Sequence, residues 1–197
     1  MIVHTFSSYS QELSHLLSLI EVTSTSGEGM SLEEGLEHAT SRILSKKSEG
    51  KKIIVIGNGG SAAIASHMQN DLCKAVGIRS LVFNEAPLLS ALSNDLSYAA
   101  AFEVLIDLWA EEGDVLIAIS SSGQSENIIR AADAARNKGC SVITLSGFKS
   151  NNPLRRKGAI NFYVPADQYG FVELGHSVLT HYLSDAAKDR IDTSVRN

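Results

Sequence analysis

Residues 52–71 read K-I-I-V-I-G-N-G-G-S-A-A-I-A-S-H-M-Q-N-D, and this stretch constrains the fold more than any other. Ile53, Ile54, Val55 and Ile56 show no polar alternation, so a strand here must be covered on both faces, as in a parallel sheet. Gly57, Gly59 and Gly60 permit left-handed backbone and close approach where the strand turns. Ser61 then opens a helix whose free N–H groups attract anions. On that helix His67 and Asp71 lie four residues apart and share one face. An anion cradle and an ionisable pair thus come from one continuous segment.

The remaining chain repeats the strand–helix alternation. Strands are expected over 79–83, 114–119, 141–145 and 160–164, with helices over 87–92, 99–109, 126–138 and 171–190. Such alternation implies right-handed crossovers and a doubly covered parallel sheet. Ligands bind such sheets beyond the carboxyl ends of the strands. Before the first strand, Tyr9, Leu13, Leu16, Leu17 and Ile20 mark one helix, and 23–29 is a polar break. Ser31 with Glu34 has capping-box spacing and opens a second helix, closed by Gly50. These two helices read as an N-terminal helical hairpin over 1–50, an assembly surface within the same domain as the core over 51–197.

The length of 197 residues suits one domain with a sizeable core. A net charge of −5 excludes a general nucleic-acid footprint. Cys73 and Cys140 are too few for a disulfide framework. No basic region followed by an apolar block opens the chain, and no apolar run approaches the ~20 residues of a membrane helix. A soluble, cytoplasmic protein is expected, with no nucleic-acid or membrane partner.

A second loop carries chemistry. Ser120-Ser121-Ser122-Gly123-Gln124-Ser125 places four hydroxyls in six residues between a buried strand and a helix start. Serine also serves as an ordinary helix cap. Four serines with a glycine favour phosphate binding, through hydroxyls, backbone N–H groups and the helix dipole, without any lysine or arginine. Lys74 and the Arg155-Arg156-Lys157 cluster either reach the phosphate or form solvated surface, the second reading being favoured. No Gly-Lys-Ser/Thr follows, so this is not a Walker loop. Ala62 fills the third glycine position of a dinucleotide fingerprint, and Ser122 does not lie in a G-x-S-x-G elbow.

Together G-N-G-G-S at Gly57, H-x-x-x-D at His67, S-N-D at Ser93, I-S-S-S-G-Q-S at Ile119, V-I-T-L-S-G at Val142 and H-x-x-x-x-H at His176 resemble the sugar isomerase (SIS) domain. More closely, they resemble its phosphoheptose isomerase branch, over nearly the whole chain. The resemblance implies a three-layer αβα sandwich with a five-stranded parallel sheet. It implies isomerisation of a seven-carbon sugar phosphate, sedoheptulose 7-phosphate, through an enediol(ate), supplying a heptose precursor for lipopolysaccharide or capsule, and a homotetramer.

Position by position, the family's substrate-binding residues correspond to Asn58, Gly59, Ser61, Asp95, Ser120, Ser121, Ser122 and Ser125. Its zinc ligands correspond to His67, Asp71, Glu173 and His181, with Asp71 standing where Glu is usual and Glu173 where Gln is usual. Two imidazoles and two carboxylates suit Zn2+, with weaker claims for manganese or iron. Glu173 and His181 lie eight apart, about 80° around a helix and two turns along it. Asp71 is the expected base and His181 its acid/base partner. The two departures also leave open a non-catalytic SIS module that binds a sugar phosphate or another protein, as some regulators of this group do.

Overall fold

The computed structural model describes residues 5–196. Seven strands form one mixed sheet: β1 (Glu21–Ser24), β2 (Gly29–Met30), β3 (Ile53–Gly57), β4 (Ser80–Leu81), β5 (Val115–Ser120), β6 (Ser141–Ser146) and β7 (Ile160–Tyr163). Their order is β2-β1-β7-β6-β5-β3-β4. From β4 to β7 every neighbouring pair is parallel, while β1 runs antiparallel to β7 and β2 antiparallel to β1. The helices are α1 (Phe6–Ser18), α2 (Leu32–Glu49), α3 (Gly60–Asp71), α4 (Ala86–Asp95), α5 (Tyr98–Trp109), α6 (Glu126–Asn137) and α7 (Tyr169–Arg196).

The uniform apolar strands divide by parity. Ile53 and Val55 join Ile117, Ile143 and Phe162 in a core closed by Ile43 of α2, Met68 of α3 and Leu183 of α7. Ile54 and Ile56 join Leu116 and Val142 in a second core closed by Phe102 and Ile106 of α5 and Ile128 and Ala131 of α6. Successive side chains leave a strand on opposite faces, so one four-residue run supplies both interiors. All four residues of that run are essentially inaccessible to solvent.

The expected five-stranded sheet with an N-terminal helical hairpin requires correction. The chain between α1 and α2 is a β-hairpin, not a polar break, and it extends the five parallel strands to a mixed sheet of seven. Its short strands sit at the edge, where only alternate residues need be apolar: Val22 is buried while Glu21 is exposed. Gly27, at φ +85°, makes the turn. Gly35 lets α2 pack on β1, because a Cβ there would lie 2.6 Å from a Val22 methyl. The Ser31–Glu34 capping box forms as the spacing implies, and Gly50 closes α2 in the left-handed conformation.

Two further boundaries differ in ways that bear on the site. Immediately after Asp71 the helix widens into a π-helical turn, Leu72–Val76, closed by Gly77 at φ +72°. Such widened turns recur at functional positions. The helix expected to end at 92 continues to Asp95, so Asp95 lies in its last turn, exposed. Among the described residues no helix is long and apolar enough to cross a membrane.

Candidate functional site

Strands β3 and β5 are hydrogen-bonded neighbours, and both special loops leave their carboxyl ends. In the first, Ser61 N–H donates to the Asn58 carbonyl at 2.9 Å, folding the chain back into α3. Gly57 is required by that fold, since a Cβ there would stand 2.6 Å from the Ser61 carbonyl. In the second, Gly123 N–H donates to the Ser120 carbonyl at 3.0 Å, with Gly123 at φ +62°. Buried Asn152 supports this turn from beneath: a Cβ on Gly123 would lie 2.0 Å from Asn152 Oδ1.

Between the loops lies a cavity of about 130 Å³, lined by Asn58, Ser61, Ser120, Ser121, Ser122, Ser125, Tyr169 and Glu173. Ser120 Oγ and Ser125 Oγ are 3.2 Å apart, and Ser122 Oγ accepts Gln124 N–H at 3.2 Å. Ser121 Oγ is buried without a hydrogen-bond partner. Among the described residues no lysine or arginine lines the cavity. Arg155 instead bridges Glu21 at 2.5 Å, and Lys157 bridges Asp133 at 2.7 Å. The cavity thus offers hydroxyl and amide groups beside a helix N-terminus, a chemistry suited to a phosphate.

The pair on α3 meets α7 as its spacing allows. Asp71 Oδ2 lies 3.5 Å from His67 Nε2 and 3.6 Å from His181 Nδ1. The two imidazoles stand edge to face, with centroids 4.6 Å apart. One donor atom from each of the three residues lies within 4.8 Å of the others, a set able to hold a metal ion or to pass protons. Glu173 is directed elsewhere, to the serine cavity and the backbone of Gly60. Gly59 lines a neighbouring cavity of about 220 Å³ that also includes Asn58, Asn84 and Tyr98. Asp95 lines neither cavity.

His176, in the same motif as His181, has a different environment. It is fully buried, and its Nε2–H donates to the Ser146 carbonyl at 3.1 Å. Burial pushes its pKa down to about 4, against the smaller opposing effect of that hydrogen bond. It is therefore neutral near pH 7 and braces α7 against β6. Tyr169, Tyr98 and Asn127 belong to the site yet carry no local signal, because only the tertiary fold brings the two tyrosines to these loops and Asn127 to Asn58.

The sequence model of the SIS domain family matches residues 19–147. The phosphoheptose isomerase of Citrifermentans bemidjiense is 31% identical over 170 residues, covering 83% of this chain and 86% of that protein. That of Aliarcobacter butzleri is 32% identical over 156 residues, covering 76% and 82%. The chain belongs to the SIS domain family, in its phosphoheptose isomerase branch. The solved structure of phosphoheptose isomerase from Neisseria gonorrhoeae overlays this SIS domain with a TM-score of 0.79 at 25% identity, covering 93% of this chain and 96% of that one. The structure of the Francisella tularensis enzyme, 24% identical with a TM-score of 0.80, shares the fold. In this SIS domain the hydroxyl-rich cavity and the imidazole–carboxylate cluster are both built on α3 and α7.

Proposed function

We propose that this chain is an aldose–ketose isomerase that converts sedoheptulose 7-phosphate to D-glycero-D-manno-heptose 7-phosphate. The observation that carries the reading is the convergence of Asp71, His67 and His181 beside the serine cavity. Ser61 and Asp71 are ten residues apart on one helix, about 15 Å along its axis. The phosphate-binding loops and the reacting groups thus engage opposite ends of an extended sugar.

The serine loop, Asn58 and Ser61 hold the phosphate and orient the far end of the chain. Asp71 takes a proton from C1 of the ketose while the C2 carbonyl oxygen gains one, giving an enediol(ate). A proton is then returned to C2, the hydroxyl on C1 loses its proton, and the carbonyl stands at C1. His181, beside Asp71, moves the proton between the two oxygens. A zinc ion, which His67, Asp71 and His181 have the donor chemistry to hold, supplies positive charge for those oxygens when bound. Glu173 lines the phosphate side rather than this donor set.

The assembly we propose is a cytoplasmic homotetramer that supplies heptose for cell-surface glycans. Leu174, Val178 and Tyr182 are exposed at four-residue spacing on α7, next to Glu173 and His181, and a second copy would cover them. Light scattering of the purified chain tests the assembly.

A coupled assay on sedoheptulose 7-phosphate tests the activity. Turnover is expected from the wild type and its loss from an Asp71→Asn, His181→Ala double variant. Equal turnover by both removes the assignment. Tight binding of the sugar phosphate by the wild type without turnover favours a non-catalytic module.

A further inference from the structure

Asn58 stands where the two cavities meet and lines both. Its carboxamide is closed into a cyclic pair with that of Asn127: Asn58 Nδ2 donates to Asn127 Oδ1 at 3.0 Å, and Asn127 Nδ2 donates to Asn58 Oδ1 at 2.9 Å. Asn127 is almost wholly buried in the first turn of α6, two residues after Ser125. Its orientation is fixed by the backbone, because Ile128 N–H, which can only donate, meets Asn127 Oδ1 at 3.0 Å. Tyr98, at the start of α5, donates its hydroxyl to Asn58 Oδ1 at 2.6 Å.

The direction of every bond in this chain follows from that one backbone donor. Asn127 must present oxygen to Ile128 N–H and to Asn58 Nδ2, so its nitrogen faces Asn58 Oδ1. Asn58 Oδ1 then receives two donors. In a cyclic carboxamide pair each nitrogen uses the hydrogen on the same side as its own oxygen. The other Asn58 amide hydrogen has no protein acceptor among the described residues.

We infer that Asn127 and Tyr98 are positioning residues that lock the Asn58 amide so that it offers an N–H, not an oxygen, to the bound sugar phosphate. A flipped Asn58 would turn a lone pair toward an oxygen-rich ligand and repel it. The pair also ties the glycine loop after β3 to the serine loop after β5, so both halves of the phosphate site move together. This rests on the function proposed above only in naming the ligand; the hydrogen-bond logic holds for any oxyanion in the cavity.

The test is a double-mutant cycle read by calorimetric binding of sedoheptulose 7-phosphate to the full chain, with thermal midpoints as a check on folding. Asn127→Ala and Tyr98→Phe are each expected to weaken binding about fivefold, the scale of one oriented hydrogen bond, and to lose that effect on an Asn58→Ala background. Tyr98→Phe removes only an oxygen from a half-exposed ring, so it reports even if Asn127→Ala fails to fold. Effects that persist undiminished on the Asn58→Ala background, or single variants that bind as the wild type does, overturn the inference. A folded wild type that does not bind sedoheptulose 7-phosphate counts against the proposed function instead. The same cycle with inorganic phosphate as probe then decides the role of Asn127 and Tyr98.

Discussion

Glu173 and Gly60 occupy one space. A Cβ built on residue 60 would lie 2.6 Å from the carboxylate carbon of Glu173 and from both of its oxygens. The second glycine of Gly59-Gly60 therefore serves the last helix of the chain as well as the turn that contains it. Gly60 opens α3 with helical backbone, a conformation that alanine also adopts. Gly60→Ala is expected to leave the thermal midpoint within a few degrees while forcing the Glu173 carboxylate against the anion cavity it lines, where its charge opposes the phosphate and weakens sugar-phosphate binding. On a Glu173→Ala background the same substitution should change binding little. Calorimetric titration of the four proteins checks this, and equal losses on both backgrounds would falsify the coupling.

In the proposed reaction Asp71 takes the substrate proton, and both imidazoles lie on one of its oxygens. Asp71→Asn keeps the shape and removes the base. Turnover should fall by about a hundredfold or more, the usual worth of a positioned base. Binding of sedoheptulose 7-phosphate should stay within a few-fold of wild type. A variant that retains most of its turnover moves the role of base to another residue.

The metal-competent cluster predicts a readout independent of turnover. Zinc in hundredfold excess over its dissociation constant stabilises the folded chain by about 2.7 kcal/mol. Thermal unfolding should therefore shift upward with zinc and return after dialysis against a chelator. The His67→Ala, His181→Ala double variant should show no shift. A shift that survives in that variant places the ion elsewhere.

His176 gives the fold a defined response to acid. Its folded pKa of about 4 lies below the ordinary 6.5, so the unfolded chain binds the proton more readily. The stability of the neutral imidazole is fully present above pH 6.5 and is lost as pH falls from there toward 4. The whole loss is about 3 kcal/mol. Urea unfolding at pH 7.5, 6.0 and 5.0 should show this slope, and His176→Gln should flatten it. An unchanged slope in His176→Gln would assign the acid response to other groups.

How much of this was legible depended on how local each signal was. The strands at 53–57 and 115–120 could be read because both faces are buried, so burial is written into consecutive residues. The serine loop, the capping box at Ser31 and the Asp71–His67 spacing are likewise local patterns. The β1–β2 hairpin was not legible, since an edge strand of four residues with one buried face resembles a polar loop. Asp95 illustrates another limit: a polar Ser-Asn-Asp triplet suggests a loop, yet it finishes α4 as helix. Asn127 and Tyr98 gave no sign at all, because a carboxamide and a phenol acquire a role only when distant elements bring them to Asn58. The direction of Glu173 was likewise set by the packing of α7 on α3 rather than by helical spacing.

Among the described residues no lysine or arginine lines the hydroxyl-rich cavity, and the chain as a whole bears a net charge of −5. An anion that enters is held by neutral dipoles, beside the Glu173 carboxylate, inside a molecule whose long-range field repels it. Added electrolyte shields that repulsion, with a Debye length of about 10 Å at 0.1 M, and leaves the short-range hold intact. Occupancy of this cavity should accordingly hold steady or rise with ionic strength, whereas a site built on basic side chains empties.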